Sequence, residues 1–278
     1  MVDRLFEGKT QLTRALQPLV LAAEETLQLT QDKRRQTIVR VDAGGGSLAD
    51  VNWLLFRGYL VHCKDYSGRQ AKRLAQSVQE WSVDPHQPER EFGWVTEAAE
   101  AYVRPVKRIA VRCRKPDGTF AYGVLISALS AQQALTLTGQ PLCLLEDVAA
   151  VLLAYVTFYD QRGGGVETSF KGDKQGLGIG KRSKKRFEAQ QMVTLLGSLA
   201  HNVILWARRW LASPSLHRYG TLRMVRDVFH ISGFLLLDAC GQVVQIVLNQ
   251  AAPLASALVD PLRQLLAGVQ VAVNLGQT

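Results

Sequence analysis

Five side chains suited to handling phosphate lie within one short stretch: Tyr159, Arg162, Glu167, Lys171 and Lys174. A carboxylate that holds a divalent metal must stay ionised. Neighbouring Lys and Arg favour that form and also neutralise a phosphate brought to the metal. Glu167, Lys171 and Lys174 are spaced i, i+4 and i+7, so a helix here carries all three on one face. The same spacing describes a solvated amphipathic helix with ordinary ion pairing, and a second carboxylate has to decide between the two readings.

Asp42 is the candidate for that carboxylate. The β-branched run Gln36 to Val41 reads as a buried strand, and Asp42 closes it ahead of Ala43, Gly44, Gly45, Gly46 and Ser47. An Asp at the carboxyl end of a strand stands where open α/β sheets place ligand chemistry. The glycines permit a sharp turn and close backbone approach, and Ser47 with Asp50 has capping-box spacing. The helix that follows carries Leu48, Val51, Leu54 and Leu55 inward and stops at Gly58, before a second strand from Tyr59 to Lys64. An ordinary strand-turn-helix unit whose Asp merely caps a turn has the same outline.

Taken in order, Tyr159, Arg162, Glu167 and Lys174 resemble the Tyr-Arg-Glu-Lys signature of the DDE transposases of bacterial insertion sequences. Four residues separate Arg162 from Glu167, where the commonest pattern has three. The unit around Asp42 resembles the surroundings of that family's second catalytic Asp. The resemblance covers roughly residues 30 to 211. It implies an α/β fold: a ribonuclease H-like mixed sheet flanked by helices, with a β-rich insertion between Asp42 and Glu167. It also implies DNA strand cleavage and strand transfer by two Mg2+ or Mn2+ ions roughly 4 Å apart. Asp42 and Glu167 would then be catalytic metal ligands. Tyr159, Arg162 and Lys174, with Lys171 beside them, would hold DNA near the scissile phosphate.

The family also has a first catalytic Asp on an opening strand, and the residues before Asp42 offer no counterpart. Asp3 leaves no room for two strands before the first helix, and Asp32 sits in a basic loop. The expectation is therefore a transposase that lacks its N-terminal part and is impaired. Two alternatives stand beside it. One is a non-catalytic DNA-binding transposase fragment. The other is an unrelated metal-dependent nuclease that uses Asp42, Glu167 and either Asp160 or Asp173. The expected partner is DNA, both transposon ends and target, with a homodimer on DNA left open.

Composition bounds these readings. At 278 residues with 47% hydrophobic side chains the chain can bury a full core, and a formal charge of +9 suits a polyanionic partner. The N-terminus lacks the pattern of a signal peptide. The apolar stretch from Pro141 to Tyr159 is interrupted by Glu146 and Asp147 and reads as a buried helix, so a cytoplasmic, nucleoid-associated protein with no membrane partner is expected. Cys63, Cys113, Cys143 and Cys240 have no CxxC spacing and read as buried free thiols in a reducing compartment. The histidines lack metal-ligand spacing and read as structural.

The chain divides on texture into residues 1–81 and 141–212 as two parts of a core, 82–140 as the β-rich insertion and 213–278 as a small appendage. Helices are expected from Thr10 to Leu29, with Pro18 as a kink, and from Arg69 to Trp81. A hairpin is expected from Lys107 to Ser127 around Lys115-Pro116-Asp117-Gly118. Its first strand sets Arg108, Arg112 and Arg114 on one face, which either lies along DNA or faces solvent. Lys181 and Arg182 open a basic run that reads as a phosphate-backbone contact. A P-loop is excluded, because three residues separate Gly176 from Gly180 and Arg182 follows Lys181. The long helix from Phe187 to Leu211 carries a stripe of Met192, Leu195, Leu196, Leu199, Val203, Trp206 and Trp210 that reads as core. Beyond it a hairpin from Phe234 to Leu248 and a helix from Ala255 to Ala267 are expected.

Overall fold

Helix α3 (Leu48–Phe56) starts where Ser47 caps it. The Ser47 hydroxyl accepts the Asp50 N–H at 3.2 Å and donates to the Asp50 carboxylate at 2.6 Å. It ends at Gly58, whose φ of +97° turns the chain into the next strand. The strand before it, β1 (Ile38–Val41), and the strand after it, β2 (Leu60–Lys64), pair in parallel with Val41 opposite Cys63. These elements belong to a computed structural model that describes residues 12–99, 101–179, 186–211 and 216–277; the side chains of 163–170 and 217 also lie outside the described part. The chain forms two compact units, Met1–Gly165 and Val166–Thr278.

In the first unit, β3 (Ser82–Asp84), β4 (Gln87–Trp94), β5 (Lys107–Arg114) and β6 (Phe120–Ser127) form an antiparallel meander that joins β2 through β6. The result is a six-stranded mixed sheet of order β1-β2-β6-β5-β4-β3. The strands expected as an insertion after residue 81 thus extend the same sheet as β1 and β2. Alternation divides its faces. On one face Val61, Cys63 and Ile126 meet α1 (Leu12–Leu27) and α3, and Ala110 and Val124 meet α4 (Gly68–Ala75). On the other, Ile109 and Leu125 meet α5 (Ala131–Leu137) and the first part of α6 (Val148–Gly176) through Leu135, Leu152 and Tyr155. Because β6 is covered on both faces, its sequence is a continuous apolar run.

Tertiary contacts correct two expectations here. Helix α4 stops at Ala75 rather than near Trp81, because the Ser77 hydroxyl turns back to the Leu74 carbonyl and Trp81 packs flat under Arg112, 4.1 Å from its guanidinium. Of the three arginines of β5 expected on one face only Arg114 is exposed, so they do not form a continuous basic row. Arg108 is buried and donates to the carbonyls of Glu97 and Ala98, while Arg112 pairs with Glu91. The first helix contains Pro18 as expected and is tied to the loop after α3 through Glu24. That carboxylate accepts from Arg57 and from the Tyr59 hydroxyl, and these bonds, Arg57 first, hold its pKa below the usual range.

In the second unit, α6 ends against α8 (Thr221–Arg223) so closely that a Cβ on Gly176 would fall 2.9 Å from the Leu222 backbone. A π-helical turn, Met224–Val228, continues α8. Helix α7 (Phe187–Trp210) contributes Ile204 to a core with Leu211, Leu216, Met224, Val228 and Leu258. Asp173 of α6 is buried with His201 of α7 at 2.7 Å and the Thr221 hydroxyl of α8 at 3.0 Å, so one carboxylate joins three elements. The expected hairpin is β7 (Gly233–Leu237) and β8 (Val243–Asn249). It is followed by α9 (Ala255–Leu265) and by β9 (Ala272–Gly276), which returns parallel to β8.

Two further expectations fail. All seven residues of the α7 stripe, from Met192 to Trp210, are exposed, since a helical period reveals which face is apolar and not whether another element covers it. Of the four cysteines only Cys63 is buried; Cys143 and Cys240 are exposed because they sit on a turn and at a hairpin tip. Among the described residues no helix is long and apolar enough to cross a membrane.

Candidate functional site

Alternation along β1 sends Val39 and Val41 toward α1 and α3, and so sends Arg40 and Asp42 to the opposite face of the sheet. The parallel register sets Arg40 beside His62, which places Lys64 on that same face at the end of β2. Helix α6 covers this face. Arg40 donates to the Phe158 carbonyl at 2.9 Å, and its guanidinium lies 4.4 Å from the centre of the Phe158 ring. One turn further along α6, the Arg162 guanidinium lies 5.4 Å from the centre of the Tyr159 ring.

Asp42, Tyr159 and Arg162 thereby gather at the carboxyl ends of β1 and β2. Burial pushes the Tyr159 phenol above its ordinary pKa, with Arg162 opposing that rise and the Asp42 charge adding to it. Burial also lowers the pKa of Arg40, and the like charge of Arg162 lowers it further. Neither guanidinium has a carboxylate partner among the described residues, and the Arg162 Nε is buried without a hydrogen bond. Among the described residues Arg40, Lys64, Arg162 and Arg90 stand against Asp42, Asp84 and Asp160, a local excess of one positive charge. Sequence reading missed Arg40 and Lys64. The signal for Arg40 was its i, i+2 spacing from Asp42 on a strand, whereas Lys64 required knowing that β1 and β2 are parallel neighbours.

The turn that presents Asp42 is built by close packing. The Asp42 Oδ1 accepts the Gly44 N–H at 2.9 Å and caps the 3-10 turn Ala43–Gly45, leaving Oδ2 without a partner among the described residues on an exposed side chain. None of Gly44, Gly45 and Gly46 has a positive φ. Gly46 is required by space, since a Cβ there would overlap the Lys64 carbonyl oxygen and push the turn off the end of β2. Behind the site, His62 is wholly buried. Its Nε2 donates to the Tyr155 carbonyl at 3.2 Å, so Nδ1 accepts from the Ser127 hydroxyl at 3.0 Å. Burial lowers the His62 pKa to about 4 and keeps the ring neutral.

Beside the site lies a cleft of about 200 Å³, walled by Lys64, Tyr122, Gly123 and Tyr159. Arg90 at its rim pairs with two carboxylates, Asp84 at 2.5 Å and Asp160 at 2.6 Å. Asp160 is paired with Arg90, and Asp173 accepts from Thr221 beside His201 in the second unit.

Glu167 has its backbone within α6, and its side chain lies outside the described residues. Lys171 and Lys174 are exposed on the later turns of the same helix, at i+4 and i+7 from Glu167. Lys181 and Arg182 lie outside the described residues. Among the described residues no three His, Cys, Asp or Glu side chains cluster as a metal-ligand set. Asp42 is nevertheless of the oxygen-donor type that Mg2+ or Mn2+ takes, with one oxygen free. Compared with protein-family models and with curated proteins, the chain matches none of them.

Proposed function

We propose that the chain is a DDE-type transposase that acts on DNA, with a ribonuclease H-like sheet and with Asp42 and Glu167 as two of its metal-binding carboxylates. The observation that carries this reading is the meeting of Asp42 with Tyr159 and Arg162 at the carboxyl ends of two parallel strands. These residues come from distant parts of the chain, and a turn-capping Asp has no need of them. The mixed sheet flanked by helices is compatible with the fold.

In this reading Arg162 and Arg40 hold the phosphate of a DNA strand, Tyr159 buttresses Arg162, and Lys64 adds charge at the same end of the sheet. Divalent metal would activate the attacking hydroxyl and stabilise the leaving oxygen. Lys171 and Lys174, exposed on α6, would bind the strand backbone beyond it.

The test uses a labelled DNA duplex with Mg2+ or Mn2+. The expected result is DNA binding with only slight metal-dependent strand cleavage, which Asp42→Ala abolishes while binding persists; efficient cleavage of any duplex would favour an unrelated metal-dependent nuclease. Cleavage that survives Asp42→Ala would overturn the assignment. DNA binding that falls with salt but is never followed by cleavage, in either protein, would favour a non-catalytic DNA-binding role.

A further inference from the structure

A second cleft, of about 420 Å³, lies in the unit that begins at Val166, between the π-helical turn after α8 and the loop before α9. That volume falls in the range of small-ligand sites, roughly 300–1,000 Å³. One wall is cationic and aromatic. Arg223 stacks on Tyr219 with its guanidinium 3.8 Å from the ring centre, and Arg226 and His230 stand exposed beside it. The other wall is apolar, formed by Ile231, Pro253 and Leu254.

The charge on this cleft is not balanced within it. Arg223 and Arg226 share a single carboxylate, Asp227, at 3.3 Å and 2.5 Å, so two positive charges meet one negative charge. These contacts engage the Arg223 Nε and the Arg226 Nε and Nη2. Both Nη of Arg223 and the Nη1 of Arg226 therefore have no acceptor among the described residues. Asp227 holds the two guanidiniums in place and leaves their outer donors to an external anion.

A ligand that satisfies both walls carries an anionic group for the free guanidinium nitrogens and a flat π-face beside the Arg223–Tyr219 stack. It also has apolar edges for Ile231, Pro253 and Leu254. Inorganic phosphate meets only the first need and an apolar ring only the last two. We infer that this cleft binds one nucleotide unit of a nucleic-acid strand, its base stacked on the Arg223–Tyr219 pair and its phosphate held by Arg223 and Arg226. The site shares no residue with Asp42, Tyr159 or Arg162, so it stands whether or not the chain cuts DNA.

The test is calorimetric titration of the full chain with four probes: deoxyadenosine monophosphate, deoxyadenosine, inorganic phosphate and a six-residue deoxyadenosine oligonucleotide. The expected order is oligonucleotide tightest, then the mononucleotide, with the nucleoside and phosphate each about tenfold or more weaker than the mononucleotide. Arg223→Gln and Tyr219→Leu should each weaken the mononucleotide about tenfold, while Arg69→Gln, which removes an equal exposed charge on α4, should not. Arg226→Gln, a surface change, provides the same readout should Tyr219→Leu unfold the unit. A mononucleotide that binds no tighter than phosphate, or that ignores Arg223→Gln and Arg226→Gln, overturns the inference. Tighter binding of the mononucleotide than of the oligonucleotide would overturn the strand as the source of the ligand. None of these outcomes depends on Asp42, so failure here and failure of the transposase reading are separate results.

Discussion

Acidification should destabilise the unit that contains His62 in a way traceable to that one ring. In the folded protein its pKa is lowered to about 4, because the ring is wholly buried between Ser127 and Tyr155 with Arg40 nearby; in the unfolded chain it returns to about 6.5. The folded value is the lower one, so the unfolded state binds the extra proton in the interval between them. Stability is full above the unfolded pKa and falls as pH drops through the interval. One pKa unit is worth about 1.36 kcal/mol, so the full interval carries roughly 3 kcal/mol, of which about 2 kcal/mol is lost by about pH 5. The assay is urea unfolding at several pH values, followed by thiol labelling located by peptide mapping to Cys63, which is buried on the same strand and reacts once β2 opens, whereas Cys143 and Cys240 are exposed throughout. Carboxylates also titrate toward the acid end, so the informative quantity is the difference between the native chain and His62→Gln. That variant is less stable near neutrality, and its curve should be flatter by about 2 kcal/mol between about pH 7.5 and pH 5. Parallel curves for the two proteins would refute the neutral, desolvated histidine.

Three further outcomes follow from the geometry. If the proposed DNA-binding role holds, Arg40→Gln and Arg162→Gln should each lower the slope of log affinity for duplex DNA against log salt by about 0.9, the value for one phosphate contact, measured by fluorescence anisotropy; an unchanged slope removes that residue from the proposed interface. Asp173→Ala strands His201 and Thr221 in the core of their unit and should cost about 3 kcal/mol in denaturant unfolding, whereas Thr221→Val should cost less because the Asp173–His201 contact survives. Gly46→Ala should destabilise the first unit by about 1–3 kcal/mol in thermal melting, because the new methyl meets the Lys64 carbonyl, while Gly68→Ala, at a position with open space and no positive φ, should not.

Local chemistry made much of this chain readable from its residues. The strand ending at Asp42, the Ser47 cap, the stop at Gly58 and both hairpin turns rest on short-range preferences of backbone and side chain, and each stands in the structure. Tyr159 and Arg162 were legible as cations and rings on a helix, and Asp42 as a strand-end carboxylate. What brings them together is the sheet order, which sets β2 between β1 and β6 and lays α6 across the face that carries Arg40, Asp42 and Lys64.

Long-range pairing energies decide that order, and no window of sequence contains them. The same limit explains the misread elements. Arg108 and Arg112 alternate like a solvent-facing or DNA-facing row, yet the loop after β4 and the Trp81 ring take up their charge and surface. The stripe of α7 has the period of a buried face and is exposed, because amphipathicity records a preference while coverage depends on what other elements bring to it. The cleft of Tyr219, Arg223 and Arg226 has no sequence signature at all: it arises where a three-residue helix, a π-turn and a loop thirty residues away converge. Sequence therefore determined those strands, turns and helices that short-range preferences fix, though not β3, β4, α5 or β9, and which side chains could do chemistry. Only the tertiary structure decided which of those side chains face one another.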